Sequence, residues 1–322
     1  MSDPALQLQD LTIRFTLKRG QLTAVDNVSF SIQRGETFGL VGESGSGKTV
    51  TARSIMRLIP EPPGEIAGGR ILFEGEDVLA KSDKELRAMR GRRVAMVFQE
   101  PMSALNPVFT VAQQISDALR TNYGMSKKEA RERVIELLAL VGIPSPASRL
   151  DSYVHEFSGG MRQRVMLAMA LSCNPSFLIA DEPTTALDVT IQAVILELIR
   201  TMIDELDMSL LFITHNLGVV AHACDRIGVM YASHIVELGE KNEIFAKPLH
   251  PYTIGLLNSI PRLDQQQRFL TPINGTVCNM MDPPSGCKFH PRCEHAMDVC
   301  RQQIPPLKQV GPGRQVACHL VT

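Results

Sequence analysis

The sequence predicts an α/β fold whose buried parallel sheet carries a phosphate-binding loop, and three stretches predict it. "ETFGLV" at 36–41 is an apolar run leading into "GESGSGKT", "TVTARSIMRLI" at 49–59 follows with helical spacing and stops before Pro60, and "SFLIADE" at 176–182 is a second apolar run ending in two carboxylates. Strands buried on both faces read as continuous apolar runs, and the ligands of such sheets collect beyond the C-terminal ends of the strands.

Along the chain, residues 5–40 alternate as β-strands do, with turns at "KRG" and "QRGE". Gly42, Gly47, Lys48 and Thr49 then fit G-x-x-x-x-G-K-[ST], with Ser44 and Gly45 inside the loop. The glycines let backbone N–H groups turn toward a triphosphate at a helix N-terminus, Lys48 reaches its β and γ oxygens, and Thr49 offers a hydroxyl to Mg²⁺. A plain connecting turn is the bland alternative, and the strand before and helix after argue against it. "EPPGEIAGG" reads as a turn-rich connector, "RILFEG" as a short strand and the basic "RAMRGRR" at 87–93 as a solvated helix face. Residues from about 103 to 165 are mostly helical by pattern, including "SKKEARERVIELLALVG" with its spaced charges and apolar stripe. In "FSGGM", Ser158 has N-cap chemistry, and Gly159 and Gly160 leave backbone amides uncovered, a second anion site or an ordinary capped helix. Asp181 suits the outer shell of Mg²⁺, and Glu182 is placed to polarise a water. "RIGVMYASHIVELGE" reads as two strands around a turn, and from "KNEIFAKPLHPY" the composition shifts toward Pro, His and Cys.

Composition narrows the class. A chain of 322 residues has room for a main domain and an appendage, and 44% hydrophobic with 21% charged residues reads as globular. No run approaches the roughly 18 apolar residues of a membrane span, and no basic-then-apolar leader opens the chain, so a cytosolic location is expected. A net charge of −1 makes no electrostatic case for nucleic acid. Seven cysteines in such a compartment point to metal binding or buried thiols rather than to disulfides.

The motifs in this order resemble the nucleotide-binding subunit of an ABC transporter: Walker A at 42–49, the signature "FSGGM" at 157–161 and Walker B "FLIAD" at 177–181 followed by Glu182. The resemblance implies a RecA-like parallel sheet, an antiparallel β subdomain and an α-helical signature subdomain over residues 1–245. It implies that Gln99 in "AMVFQEP" senses Mg²⁺ and the attacking water, that Asp188 in "TALD" belongs to the D-loop, that His215 in "LLFITHN" contacts the γ-phosphate, and that Phe15 stacks on adenine. Read from the residues alone, Phe15 is equally a core aromatic. Phe157 and Met161 replace the ends of the commonest signature, LSGGQ, and Asn216 stands where aspartate is usual, which predicts weaker contacts around the switch histidine. With one Walker A per chain, two nucleotide-binding subunits must come from two chains, and the resemblance implies that they pair head to tail, so that Ser158, Gly159 and Gly160 of one cover ATP bound at Lys48 of the other.

"HPYTIGLLNSIPRLD" at 250–264 is similar to the extension of peptide-importer ATPases of the D type, here residues 246–322. The family implies a peripheral location on the cytoplasmic face of the membrane, a second and distinct ATPase subunit, two permease subunits and an extracytoplasmic substrate-binding protein. It also implies import of di- or oligopeptides, with a nickel chelate as the alternative cargo. A soluble ABC-type ATPase acting on DNA or ribosomes would show a second ATPase domain, a coiled-coil insertion or a basic surface, and the sequence shows none. Cys287, Cys293, Cys300 and Cys318 are separated by five, six and seventeen residues. These gaps exceed the roughly two to four residues of common zinc knuckles, leaving zinc disfavoured but open beside free thiols. The family resemblance implies a [4Fe-4S] cluster there, with Cys278, Cys173 and Cys224 as bystanders.

Overall fold

The computed structural model describes residues 3–184, 188–259 and 273–321. Thr185, Ala186 and Leu187 of "TALD" and residues 260–264 of the "HPYT" stretch lie outside them. In chain order the strands are β1 (Leu6–Leu17), β2 (Gly20–Ile32), β3 (Thr37–Val41), β4 (Gly64–Phe73), β5 (Glu76–Asp77), β6 (Val94–Val97), β7 (Phe177–Asp181), β8 (Ser209–Thr214), β9 (Arg226–Tyr231), β10 (His234–Glu240), β11 (Lys308–Gly311) and β12 (Arg314–Val316). Two compact units form, one from Met1–Leu79 with Phe212–Thr322 and one from Ala80–Leu211.

In the first unit an antiparallel sheet runs in the order β2-β1-β4-β5. Leu6 and Leu8 are buried, and so are Leu11 and Ile13, so the inward face changes phase along β1. The phase changes because the register slips between Leu8 and Leu11, where Asp10 has φ 49° and its N–H donates to Ser29 Oγ at 2.8 Å. Such a bulge lets a strand keep one apolar face despite an extra residue. The connector expected at "GEIAGG" is instead part of β4, ten residues long. Its glycines suggest a loop, but they lie at the matching register shift, where Thr12 faces Gly68 and Gln9 faces Arg70.

The unit's other sheet carries strand order β11-β12-β10-β9-β3. Phe38, Leu40 and Val41 of β3 are fully buried, and β3 lies parallel to β9 with Phe38 opposite Arg226. The expected strand pair at 226–240 forms as the β9–β10 hairpin, turned by Ala232 and Ser233 at φ 44° and 74°. Those left-handed residues match the right-handed twist of hairpin strands. Strand β12 pairs with β10, Glu237 opposite Val316, so the C-terminal segment is woven into the sheet edge.

In the second unit β6 and β7 are parallel, and both are wholly buried. The helices expected within 103–165 include Val111–Tyr123, Lys127–Leu140 and the start of Gly159–Leu171. Capping boxes start the first two: Thr110 with Gln113 and Ser126 with Glu129. The stripe Ala130, Val134, Leu137 and Leu138 is buried, and Lys128 meets Glu132 at 4.0 Å on an exposed face. Burying each larger apolar side chain is worth about 1.5–3 kcal/mol, whereas the exposed pair contributes under about 1 kcal/mol.

Glu237 fastens the C-terminal segment within the first unit. Its carboxylate is 0% exposed and accepts from Arg314 Nη2 at 2.8 Å, Leu249 N at 2.9 Å and His250 N at 3.0 Å. Arg314→Met leaves that buried carboxylate without its cation, and urea unfolding followed by circular dichroism should show a loss of about 3–5 kcal/mol. A loss under about 1 kcal/mol would mean the pair does not hold the segment.

Candidate active site

The phosphate loop joins β3 to the helix Lys48–Ile55. Gly42 and Gly47 have φ 154° and 104°, and a Cβ at either would clash with a backbone oxygen, that of Met230 or of Ala24. Only glycine fits both the dihedrals and the closeness. Ser44 and Gly45 are exposed at the tip, Thr49 is half-buried, and Lys48 is 5% exposed. The Lys48 ammonium donates to Gly42 O at 2.8 Å, Glu43 O at 2.9 Å and Ser46 Oγ at 3.3 Å. The loop is thus curled around a cation, with a helix N-terminus behind it, an arrangement suited to a polyanion.

In the second unit the parallel register pairs Val97 with Ala180. Two residues beyond that pair, Gln99 and Glu182 emerge together, and Gln99 Nε2 donates to Glu182 Oε2 at 3.2 Å. Asp181 is 1% exposed at the end of its strand, and Glu182 has φ 48°. A non-glycine residue in the left-handed region is strained by about 1–3 kcal/mol, and such strain clusters at functional sites. In the same unit Ser158 Oγ accepts from Met161 N at 3.3 Å, the expected N-cap of helix Gly159–Leu171. Gly159 is exposed, whereas Gly160 is buried against Ile191. Asp188 likewise caps helix Val189–Leu206, its Oδ1 accepting from Ile191 N at 2.9 Å.

His215, in the first unit, is exposed just beyond β8. Asn216 follows it and caps helix Leu217–Ala223 through Oδ1, which accepts from Gly218 N at 3.0 Å, while its own N–H donates to Thr214 Oγ1. The amide therefore supplies the capping acceptor an aspartate would. Phe15 is half-buried on β1, with its ring edge over Gly64.

All four cysteines of the C-terminal group are free, as are Cys173, Cys224 and Cys278. Cys287 N donates to Cys300 O at 2.8 Å, placing the loop 285–287 against helix Asp298–Gln302. Burial pushes the Cys287 thiol up to about 11, helped by the nearby thiols of Cys300, Cys318 and Cys293. Burial first, then neighbouring thiols, likewise raises Cys293 and Cys318. The four side chains thus lie within electrostatic reach of one another. Among the described residues, no group of three or more His, Cys, Asp or Glu is arranged to hold a metal ion, the four C-terminal cysteines included.

A glycine loop around a buried lysine and an acidic strand end paired with a glutamine define the class as a P-loop ATPase. Residues 25–185 match the ABC transporter family model, and residues 236–300 match that of the oligopeptide/dipeptide transporter C-terminal region. The chain is 52% identical to the dipeptide transport ATP-binding protein DppD of Bacillus subtilis, over 99% of this chain and 95% of that one. It is 47% identical to the oligopeptide transport ATP-binding protein OppD of Salmonella typhimurium, over 97% and 92%. A dimeric ATP-binding cassette solved with ADP and Pi superposes with TM-score 0.66 at 26% identity, covering 73% of this chain and 98% of that one. The chain belongs to the ABC transporter ATP-binding subunits, in the oligopeptide/dipeptide branch, and is an ATPase.

Sequence reasoning did not single out Glu43, Tyr252 or Arg292, which meet beside the phosphate loop. Their one signal was local, the recurrence of His-Pro in "HPYT" and "HPRC" within a changed composition.

Proposed function

We propose that this chain is the ATP-hydrolysing subunit of an importer of di- and oligopeptides, peripheral on the cytoplasmic face of the membrane. The observation that carries the catalytic reading is the Gln99–Glu182 contact at the ends of two parallel strands, one residue past a buried Asp181. The full-length similarity to peptide transport ATP-binding proteins supports the cargo. Residues 1–245 form the cassette, and residues 246–322 form the extension.

In this reading Lys48 and the loop amides bind the β- and γ-phosphates, Thr49 and Asp181 hold Mg²⁺, and Phe15 faces adenine. Glu182 orients water for in-line attack, Gln99 holds that carboxylate and senses the metal, and His215 meets the γ-phosphate. A single loop cannot surround a γ-phosphate, so Ser158, Gly159 and Gly160 of a second cassette close over it, with Asp188 at the seam. That second subunit is a distinct paralogue, and the pair drives two permeases fed by a substrate-binding protein. Closing and opening of the pair moves the permeases.

Cys287, Cys293, Cys300 and Cys318 would hold a [4Fe-4S] cluster as its thiolate ligands, the group that the resemblance of the extension implies. Supporting this, the four cysteines are free of disulfides, and Cys287 N donates to Cys300 O at 2.8 Å, which holds two of them together.

Lys48→Ala should abolish ATP binding. Glu182→Gln should keep binding yet slow turnover of the assembled transporter by at least about a hundredfold, with the partner ATPase carrying the same change. Undiminished turnover in that doubly altered complex would refute the assignment of Glu182. For the cluster, anaerobically purified chain should be brown and carry about four irons by metal analysis. Stoichiometric zinc without iron would refute the cluster and leave the ATPase untouched.

A further inference from the structure

Every polar group of Glu43, the second residue of the phosphate loop, is engaged. Its carbonyl accepts from the Lys48 ammonium at 2.9 Å. Its N–H donates to the Tyr252 hydroxyl at 2.9 Å. Its carboxylate takes both prongs of the Arg292 guanidinium, Nη1 to Oε2 at 2.7 Å and Nη2 to Oε1 at 3.0 Å. Tyr252 and Arg292 both belong to the C-terminal extension, 209 and 249 residues away in sequence.

Arg292 is held as well as holding. Its side chain is only 5% exposed, and Nε donates to Asn274 O at 3.0 Å. The guanidinium lies over the rings of Tyr231 and Phe289, 5.8 and 5.9 Å from their centroids. Tyr231, Tyr252 and Phe289 pack against one another at 4.6 to 5.5 Å. Met230, whose carbonyl crowds Gly42, precedes Tyr231 on β9, so this aromatic group and the loop share one support. A planar fork fixed on aromatic faces loses little entropy when it grips a carboxylate.

A carboxylate in a loop built to receive a polyanion is electrostatically misplaced. It repels the ligand unless a cation neutralises it and turns it aside. Arg292 does both here, and Tyr252 fixes the backbone at the same residue. We propose that Arg292, supported by Tyr252, is a positioning residue for the ATP site, so that the C-terminal extension sets the nucleotide affinity of its own chain. This rests on the reading of the Lys48 loop as that site.

The test is a titration of the full chain with Mg-ATP, beside thermal melts and steady-state kinetics of the assembled transporter. Arg292→Gln should weaken ATP binding about tenfold and raise KM to match, with kcat at saturating ATP within about twofold. Arg292→Lys, which keeps the charge and loses the fork, should fall between, and Tyr252→Phe should cost about threefold. In a Glu43→Gln background Arg292→Gln should change affinity less than about twofold, because no carboxylate is left to release. Were Arg292→Gln not to fold, Arg292→Lys in both backgrounds makes the same comparison. A lower melting temperature with unchanged ATP affinity would overturn the proposal, as would an equal loss in the Glu43→Gln background. Lys48→Ala separates the two readings. If it binds ATP as the unaltered chain does, the site itself is misassigned and the inference falls with it, whereas lost binding there beside unchanged binding in Arg292→Gln overturns the inference alone.

Discussion

The Lys48 ammonium, buried and bonded to Gly42 O, Glu43 O and Ser46 Oγ, is the interaction around which the rest of the first unit is arranged. A loop whose amides face outward for a polyanion has carbonyls that must go elsewhere, and here two of them turn onto the lysine. Buried polar groups need partners, and this one cation satisfies several at once. The left-handed glycines and the close approach of β9 fit that curl, and the carboxylate of Glu43, within it, is paired with Arg292.

The second unit solves a different problem, fixing a carboxylate at a strand end without a flexible arm. Parallel strands with matched register deliver neighbouring residues at their ends, so Gln99 and Glu182 meet because Val97 and Ala180 do. The left-handed backbone at Glu182 then turns its side chain off the strand's alternation. Helix caps at Ser158 and Asp188 use the same economy, each spending one side-chain oxygen on an orphan amide.

What could be read in the sequence divides along physical range. The phosphate loop was legible because its geometry is local: glycine spacing, a following lysine and a helix start lie within eight residues. The cap at Ser158 and the β9–β10 hairpin follow local chemistry as well, and so do the caps at Ser126 and Asp188, which were not read from the sequence. Residues 64–69 were misread because glycines at a bulge look like glycines in a loop, and only the pairing with β1 tells them apart. Gln99 was reachable only through family resemblance, since its contact depends on strand register. Arg292 and Tyr252 left only the recurring His-Pro as a local trace, because nothing near either residue encodes a partner more than two hundred residues away.

The central claim is that Lys48 holds the loop in a form ready for triphosphate and hands over its bonds when the nucleotide arrives. A structure of the chain with Mg²⁺ and a non-hydrolysable ATP analogue tests it most directly. The account predicts that Lys48 Nζ leaves at least one of the Gly42 and Glu43 carbonyls for phosphate oxygens, while the Arg292–Glu43 fork stays closed. Nucleotide bound away from the 42–49 loop, or within it with the Lys48 contacts unchanged, would contradict it.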